Sequence, residues 1–236
     1  MLSASSMPLP SDHSSEPPPS RPTTILLLPA FTFIDNVTPV SVPQLINHHI
    51  STAPTTTTPL LAPTPTPPPE KPRQSSPFET RPCPHKYLIL MCSQRTRDAR
   101  CGQSAPLLKR EFERLLRPLG LYRDQHDQRP GGVGIYFISH VGGHKFSANI
   151  MVYRRADAVR KEQNGEVEEG VDGSTSSIPE AEKNRLREGA QCIWLARVRP
   201  EDCEGIIKYT VLQGKVVKPE RQLRGGFDRG RGLVSW

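Results

Sequence analysis

Proline constrains this chain more than any other residue type: 19 of its 26 prolines lie at or before Pro82. Each one removes a backbone donor and fixes φ, so a stretch crowded with them supplies few helix or ladder hydrogen bonds. Residues 51–82 combine proline with threonine runs such as Thr55-Thr56-Thr57-Thr58-Pro59 and carry little apolar surface. That composition does not offset its own ordering entropy and favours extended conformations. The residues from 83 onward suffice for one domain with a real core. The chain therefore divides into a disordered leader (1–23), a short apolar piece (24–50), a Pro/Thr-rich linker (51–82) and a main domain (83–236).

In the apolar piece, Ile25-Leu26-Leu27-Leu28 reads as a strand. Val40 to Ile46 reads as a short helix, with Ser41 as N-cap and Pro43 in the first turn. One strand and one helix cannot bury their own apolar faces, so this piece must dock on something else.

The main domain opens with Lys86-Tyr87-Leu88-Ile89-Leu90-Met91, an apolar run expected of a strand covered on both faces. A polar loop follows to Cys101-Gly102. Leu107, Leu108, Phe112, Leu115, Leu116 and Leu119 then recur at helical spacing, with Ser104 as N-cap, Pro106 in the first turn and Gly120 as the stop. Strands are expected at Gly134–Ser139, Phe146–Tyr153 and Gln191–Val198, and a helix from Pro200 to a cap at Gly214. Residues 154–190 are charged and aperiodic and read as a surface insertion. The order strand, helix, strand, strand, strand, helix predicts an α/β fold: a thioredoxin-like mixed sheet with flanking helices.

The formal net charge is +7, without long runs of one sign. A solvated basic surface accounts for that balance; an acidic redox partner comes second, and nucleic acid is not implied. No apolar run reaches the length of a membrane span. The five cysteines form no C-x-x-C pair, which argues against a secreted disulfide framework. The leader is rich in Ser and Pro but carries Asp12, Glu16 and almost no arginine. It makes a poor mitochondrial presequence and no secretory signal.

Cys92 and Cys101 stand at the two ends of one loop, after the first main-domain strand. His140 and His144 stand at the ends of a second, after the strand at Gly134. Two loops leaving the same edge of adjacent strands can converge. Two thiolates and two imidazoles suit tetrahedral zinc. They equally suit a [2Fe–2S] cluster in which histidines replace cysteines on one iron. Gly142 and Gly143 let the backbone pass close to such a group and offer it N–H donors. Arg97, Asp98 and Arg100 either tune its charge or hold the loop by ion pairs, and Lys145 faces a redox partner, raises the potential or is simply solvated. Spacing alone also leaves open unrelated buried cysteines beside a histidine-bearing hairpin.

At these motifs the chain resembles the sucrase/ferredoxin-like family of thioredoxin-like ferredoxins. The resemblance rests on the stretch from Cys92 through Arg97-Asp98-Ala99-Arg100 to Cys101-Gly102, and on His140-Val141-Gly142-Gly143-His144-Lys145-Phe146 leading to Asn149. It also rests on Val198-Arg199-Pro200-Glu201-Asp202 and on Arg224-Gly225-Gly226 near Trp236. Ser104-Ala105-Pro106 after the second cysteine resembles the fungal altered-inheritance-of-mitochondria branch. The resemblance implies a [2Fe–2S] cluster held by Cys92, Cys101, His140 and His144, in a non-enzymatic electron carrier or redox sensor with a protein redox partner. It also favours a mitochondrial over a cytosolic location. A longer N-terminal lobe is expected in the family, of which residues 26–50 resemble the last strand and helix after an unrelated-looking, shortened leader. The rival functions are a zinc-stabilised binding module and a thiol–disulfide oxidoreductase cycling Cys92 and Cys101. No paired carboxylates point to glycosidase chemistry.

Overall fold

The structure, a computed structural model, describes residues 2–8, 21–60, 78–139, 145–163 and 179–233. Its centre is strand β4 (Tyr87–Cys92), all six residues of which are buried. A strand this apolar must be covered on both faces and paired on both edges. β6 (Val133–Ile138) runs parallel on one edge and β7 (Ile150–Arg155) antiparallel on the other. With β5 (Tyr122–Arg123), β8 (Gly189–Leu195) and β9 (Leu223–Asp228) the sheet order is β5-β6-β4-β7-β8-β9. The inner four strands follow the thioredoxin-like order, with β7 as the reversed strand. The parallel β4–β6 pair requires a crossover, supplied by helix α2 (Ala99–Leu116).

Alternation along β4 sorts the two cores. Ile89 and Met91 face a cluster with Ala105, Leu108, Phe112 and Leu116 of α2 and with Ile206, Ile207 and Val211. The last three belong to a helical run from Pro200 to Val211, whose middle turn is α5 (Cys203–Gly205). That run ends near Gly214, at φ 64°, as expected for its cap. Leu88, Leu90 and Cys92 point to the opposite face, where Phe31 and Phe33 cover them.

The cover on that second face is an antiparallel sheet of β1 (Thr23–Leu27), β2 (Thr32–Val37) and β3 (Glu79–Pro82), in that order. The apolar piece thus docks where its exposed side requires. Its sequence reading as one strand and one helix omitted β2, and the linker assigned to 51–82 ends in β3. Both strands take their hydrogen bonds from distant partners, which polar residues such as Glu79-Thr80-Arg81-Pro82 do not advertise. Helix α1 (Val42–Leu45) begins after Ser41 as expected. At the leader, Ser5 bridges Ile138, and Ser139 N donates to Ala4 O at 2.8 Å, so residues 4–6 extend the outer edge of β6.

Several boundaries differ from the sequence reading: the strand expected at Phe146–Tyr153 starts at Ile150, and the one expected at Gln191–Val198 ends at Leu195. Helix α2 starts at Ala99, not after Ser104, because Asp98 caps it by accepting from Arg100 N at 3.0 Å. Pro106 therefore lies inside the helix, and Gly120 lies past its end. The insertion assigned to 154–190 begins and ends in strand, since β7 runs to Arg155 and β8 starts at Gly189. Helices α3 (Ala156–Gln163) and α4 (Glu180–Arg187) stand between them. Arg154 is only 1% exposed. It donates to Val211 O and Leu212 O at 2.8 Å and to Gln191 Oε1 at 2.7 Å, so a charged residue is here an interior fixture.

Candidate metal centre

Cys92 closes β4, and Cys101 sits in the first turn of α2 rather than at the end of a loop. Neither is in a disulfide and both are buried, at 4% and 1% exposure, in the cluster with Cys83, Leu88, Leu90, Tyr136 and Ile138. Between them, residues 93–98 fold tightly against the helix. A side chain at Gly102 would meet Arg95 Cβ at 2.7 Å and Arg95 Cα at 2.9 Å, so this close approach requires glycine. Asp98 binds Arg100 through both oxygens, at 3.0 and 2.9 Å, and this pairing holds the Asp98 carboxyl below the usual carboxylate range. Of the roles weighed for Asp98 and Arg100, the contacts made are those of a loop clamp; Arg97 is exposed.

His140, His144, Gly142 and Gly143 lie outside the described residues. Their flanks are described. Cys92 is in register with Ile138 across the parallel pair, and Ser93 N donates to Ile138 O at 3.0 Å. On the returning limb, Lys145 is exposed. Cys92 N donates to Asn149 O at 3.0 Å. The Asn149 carboxamide donates to Phe146 O at 2.6 Å and accepts from Trp194 Nε1 at 3.3 Å. Asn149 therefore ties the limb after His144 to the strand that carries Cys92. As a motif residue it was visible in the sequence, but its positioning role was not.

The Phe146 ring forms a stack that sequence reading missed. Arg197 Cζ lies 3.9 Å and Arg224 Cζ 4.1 Å from its centroid, with Lys145 Nζ at 5.5 Å. Arg197 follows β8, just before the motif that begins at Val198, and Arg224 lies in β9, so only folding brings them to one ring.

Cys83 belongs to the same apolar cluster as Cys92 and Cys101, and Cys192 and Cys203 do not. Cys83 and His85 precede β4, and the five residue steps of β4 put about 17 Å between its ends. Burial pushes the Cys83 thiol up to about 11, and those of Cys192 and Cys203 to about 12, which marks them as inert interior groups. Among the described residues no three potential ligands cluster, and no helix is long and apolar enough to cross a membrane.

A family model described as sucrase/ferredoxin-like matches residues 1–225. Among curated relatives, Actin patches distal protein 1 of Saccharomyces cerevisiae is 49% identical over 82 residues, covering 33% of this chain and 26% of that protein. Altered inheritance of mitochondria protein 32 of Clavispora lusitaniae is 30% identical over 134 residues, covering 57% and 33%. Its counterpart in Debaryomyces hansenii is 31% identical over 133 residues, covering 56% and 34%. The matches thus span about a quarter to a third of these relatives. No solved structure matches. These likenesses are consistent with a redox-related role, and the chain belongs to the sucrase/ferredoxin-like family.

Proposed function

We propose that the chain is a [2Fe–2S] redox protein, an electron carrier or redox sensor, whose cluster is held by Cys92, Cys101, His140 and His144. The observation that carries this reading is that Cys92 and Cys101, both buried and neither in a disulfide, share one apolar cluster. They lie at the end of the sheet where Ser93 and Cys92 bond to the two flanks of the histidine segment. A thiolate in such surroundings needs a positive partner to offset its desolvation, which a metal centre provides. When bound, the cluster supplies one-electron transfer, at roughly −150 to +300 mV for centres with two imidazole ligands. The chain's own part is to fix the sulfurs, through the Asp98 cap and the Gly102–Arg95 packing, and to exclude water from them.

The test is an absorption spectrum and metal analysis of anaerobically purified protein. Visible bands that bleach with dithionite, with two iron and two labile sulfide per chain, are expected. A colourless protein holding one zinc overturns the reading in favour of a zinc-stabilised module. A metal-free protein whose Cys92 and Cys101 form a reversible disulfide overturns it in favour of a thiol oxidoreductase. The names of the relatives support a mitochondrial location, which fractionation of cells expressing the tagged chain tests.

A further inference from the structure

Beside the cysteines lies an open cleft of about 460 Å³, bounded by α2, the turn before β7, the segment after β8 and helix α6 (Pro219–Gln222). Arg100, Ser104 and Leu107 line it from one face of α2, spaced a turn apart. Arg197, Arg199 and Arg221 line it from the other walls, and no carboxylate does. Two of these arginines are already paired, Arg100 with Asp98 and Arg199 loosely with Glu201 at 3.5 Å, while Asp202 binds Lys218 and Gln222. Among the described residues Arg197 and Arg221 pair with no carboxylate.

The walls are fixed before anything binds. Ala148 and Arg197 both adopt left-handed backbone, at φ 50° and 56°. Arg197 N donates to Ser147 O at 2.8 Å and Val198 N to Ala148 O at 3.3 Å. The Phe146 stack holds the Arg197 guanidinium in place. Leu107, 55% exposed, adds an apolar rim. Arginine beside exposed apolar surface matches the composition of protein interfaces, and the apolar rim adds nothing to the binding of a bare inorganic anion.

We propose that this cleft docks an acidic, leucine-bearing segment of a redox partner protein, against the helix turn that carries Cys101. The assignment of a redox partner rests on the function proposed above; the acidic ligand rests on the cleft itself. The net charge of +7 favours encounter with an acidic partner, and the arginines of the cleft give it a place to dock.

The test uses the full chain and a short fluorescein-labelled peptide of Glu, Asp and Leu, with binding read by anisotropy. Arg197→Glu and Arg221→Glu should each weaken binding about tenfold or more, whereas Arg187→Glu, the same charge change on α4, should leave it within about twofold. Arg221→Gln, at an exposed position, should give an intermediate loss with an unchanged thermal midpoint. Equal loss from all three reversals reduces the effect to net charge and overturns the proposal. So does phosphate binding as tightly as the peptide, which would make the cleft a small-anion site. Visible absorbance is read on the same samples. Peptide bound by a colourless protein counts against the cluster and leaves the docking cleft standing, while a coloured protein that ignores the peptide does the reverse.

Discussion

The amide of Cys92 donates to the carbonyl of Asn149 at 3.0 Å, so the end of β4 is stitched to the limb that returns from the histidine segment. Because that bond uses the main chain, it survives substitution of Asn149, and the role of the side chain can be tested separately. Asn149→Ala removes the donor to Phe146 O and the acceptor for Trp194. A loss of about 1–3 kcal/mol in denaturant unfolding is expected, with a changed Trp194 emission. An unaltered midpoint would show that the turn closes without the carboxamide.

The histidines carry the electrochemical prediction. Under the proposed ligation, His140→Cys or His144→Cys keeps a cluster while its potential falls toward the all-cysteine range near about −400 mV. The pH dependence of the potential weakens with it. Protein-film voltammetry from acid to alkaline pH checks this, and unchanged electrochemistry would remove these histidines from the ligand set. Cys92→Ala or Cys101→Ala should lose the visible bands altogether, whereas Cys192→Ala should keep them.

His85 predicts an acid-sensitive fold. It is 2% exposed, its Nε2 lies 3.2 Å from the Tyr136 hydroxyl, and its Nδ1 has no partner. Burial, with help from Arg123, lowers its pKa from 6.5 to about 4. The unfolded chain therefore takes up a proton near 6.5 that the folded chain refuses until about 4. Stability should fall as pH drops through that window, by up to about 3 kcal/mol. His85→Gln stays neutral and should flatten the acid limb of a plot of unfolding free energy against pH. An equally steep limb would assign the loss to other groups.

Arg154 joins β7 to the end of the helical run through Val211 O and Leu212 O, and to β8 through Gln191. Arg154→Met keeps much of the volume but leaves those buried acceptors without their donor. A destabilisation of about 3 kcal/mol or more is expected, read as a lower urea midpoint at unchanged slope. Gly214 packs against the native guanidinium, where a side chain would collide with Arg154 Nη1 and Gln191 Oε1.

Much of the main sheet was legible in the chain. The run from Tyr87 to Met91 has no surface to show water on either face, so a central strand followed from it directly. The helix spacing after Cys101 predicted α2, although its start was missed: Pro106 marked the first turn by rule, while the Asp98 cap began the helix earlier. The cysteine and histidine spacings named the ligand candidates, and Cys92 and Cys101 do share one buried cluster; His140 and His144 lie outside the described residues.

By itself the sequence determined which segments must be buried and where thiols and imidazoles recur, because apolar period and residue chemistry are local properties. The tertiary structure alone decided that β3 would emerge from a proline-rich stretch, that Arg154 would be interior, and that Arg197 and Arg224 would meet on Phe146. Each of these depends on contacts between segments tens of residues apart, and the free energy of such contacts resides in the pairing, which neither partner's sequence carries alone.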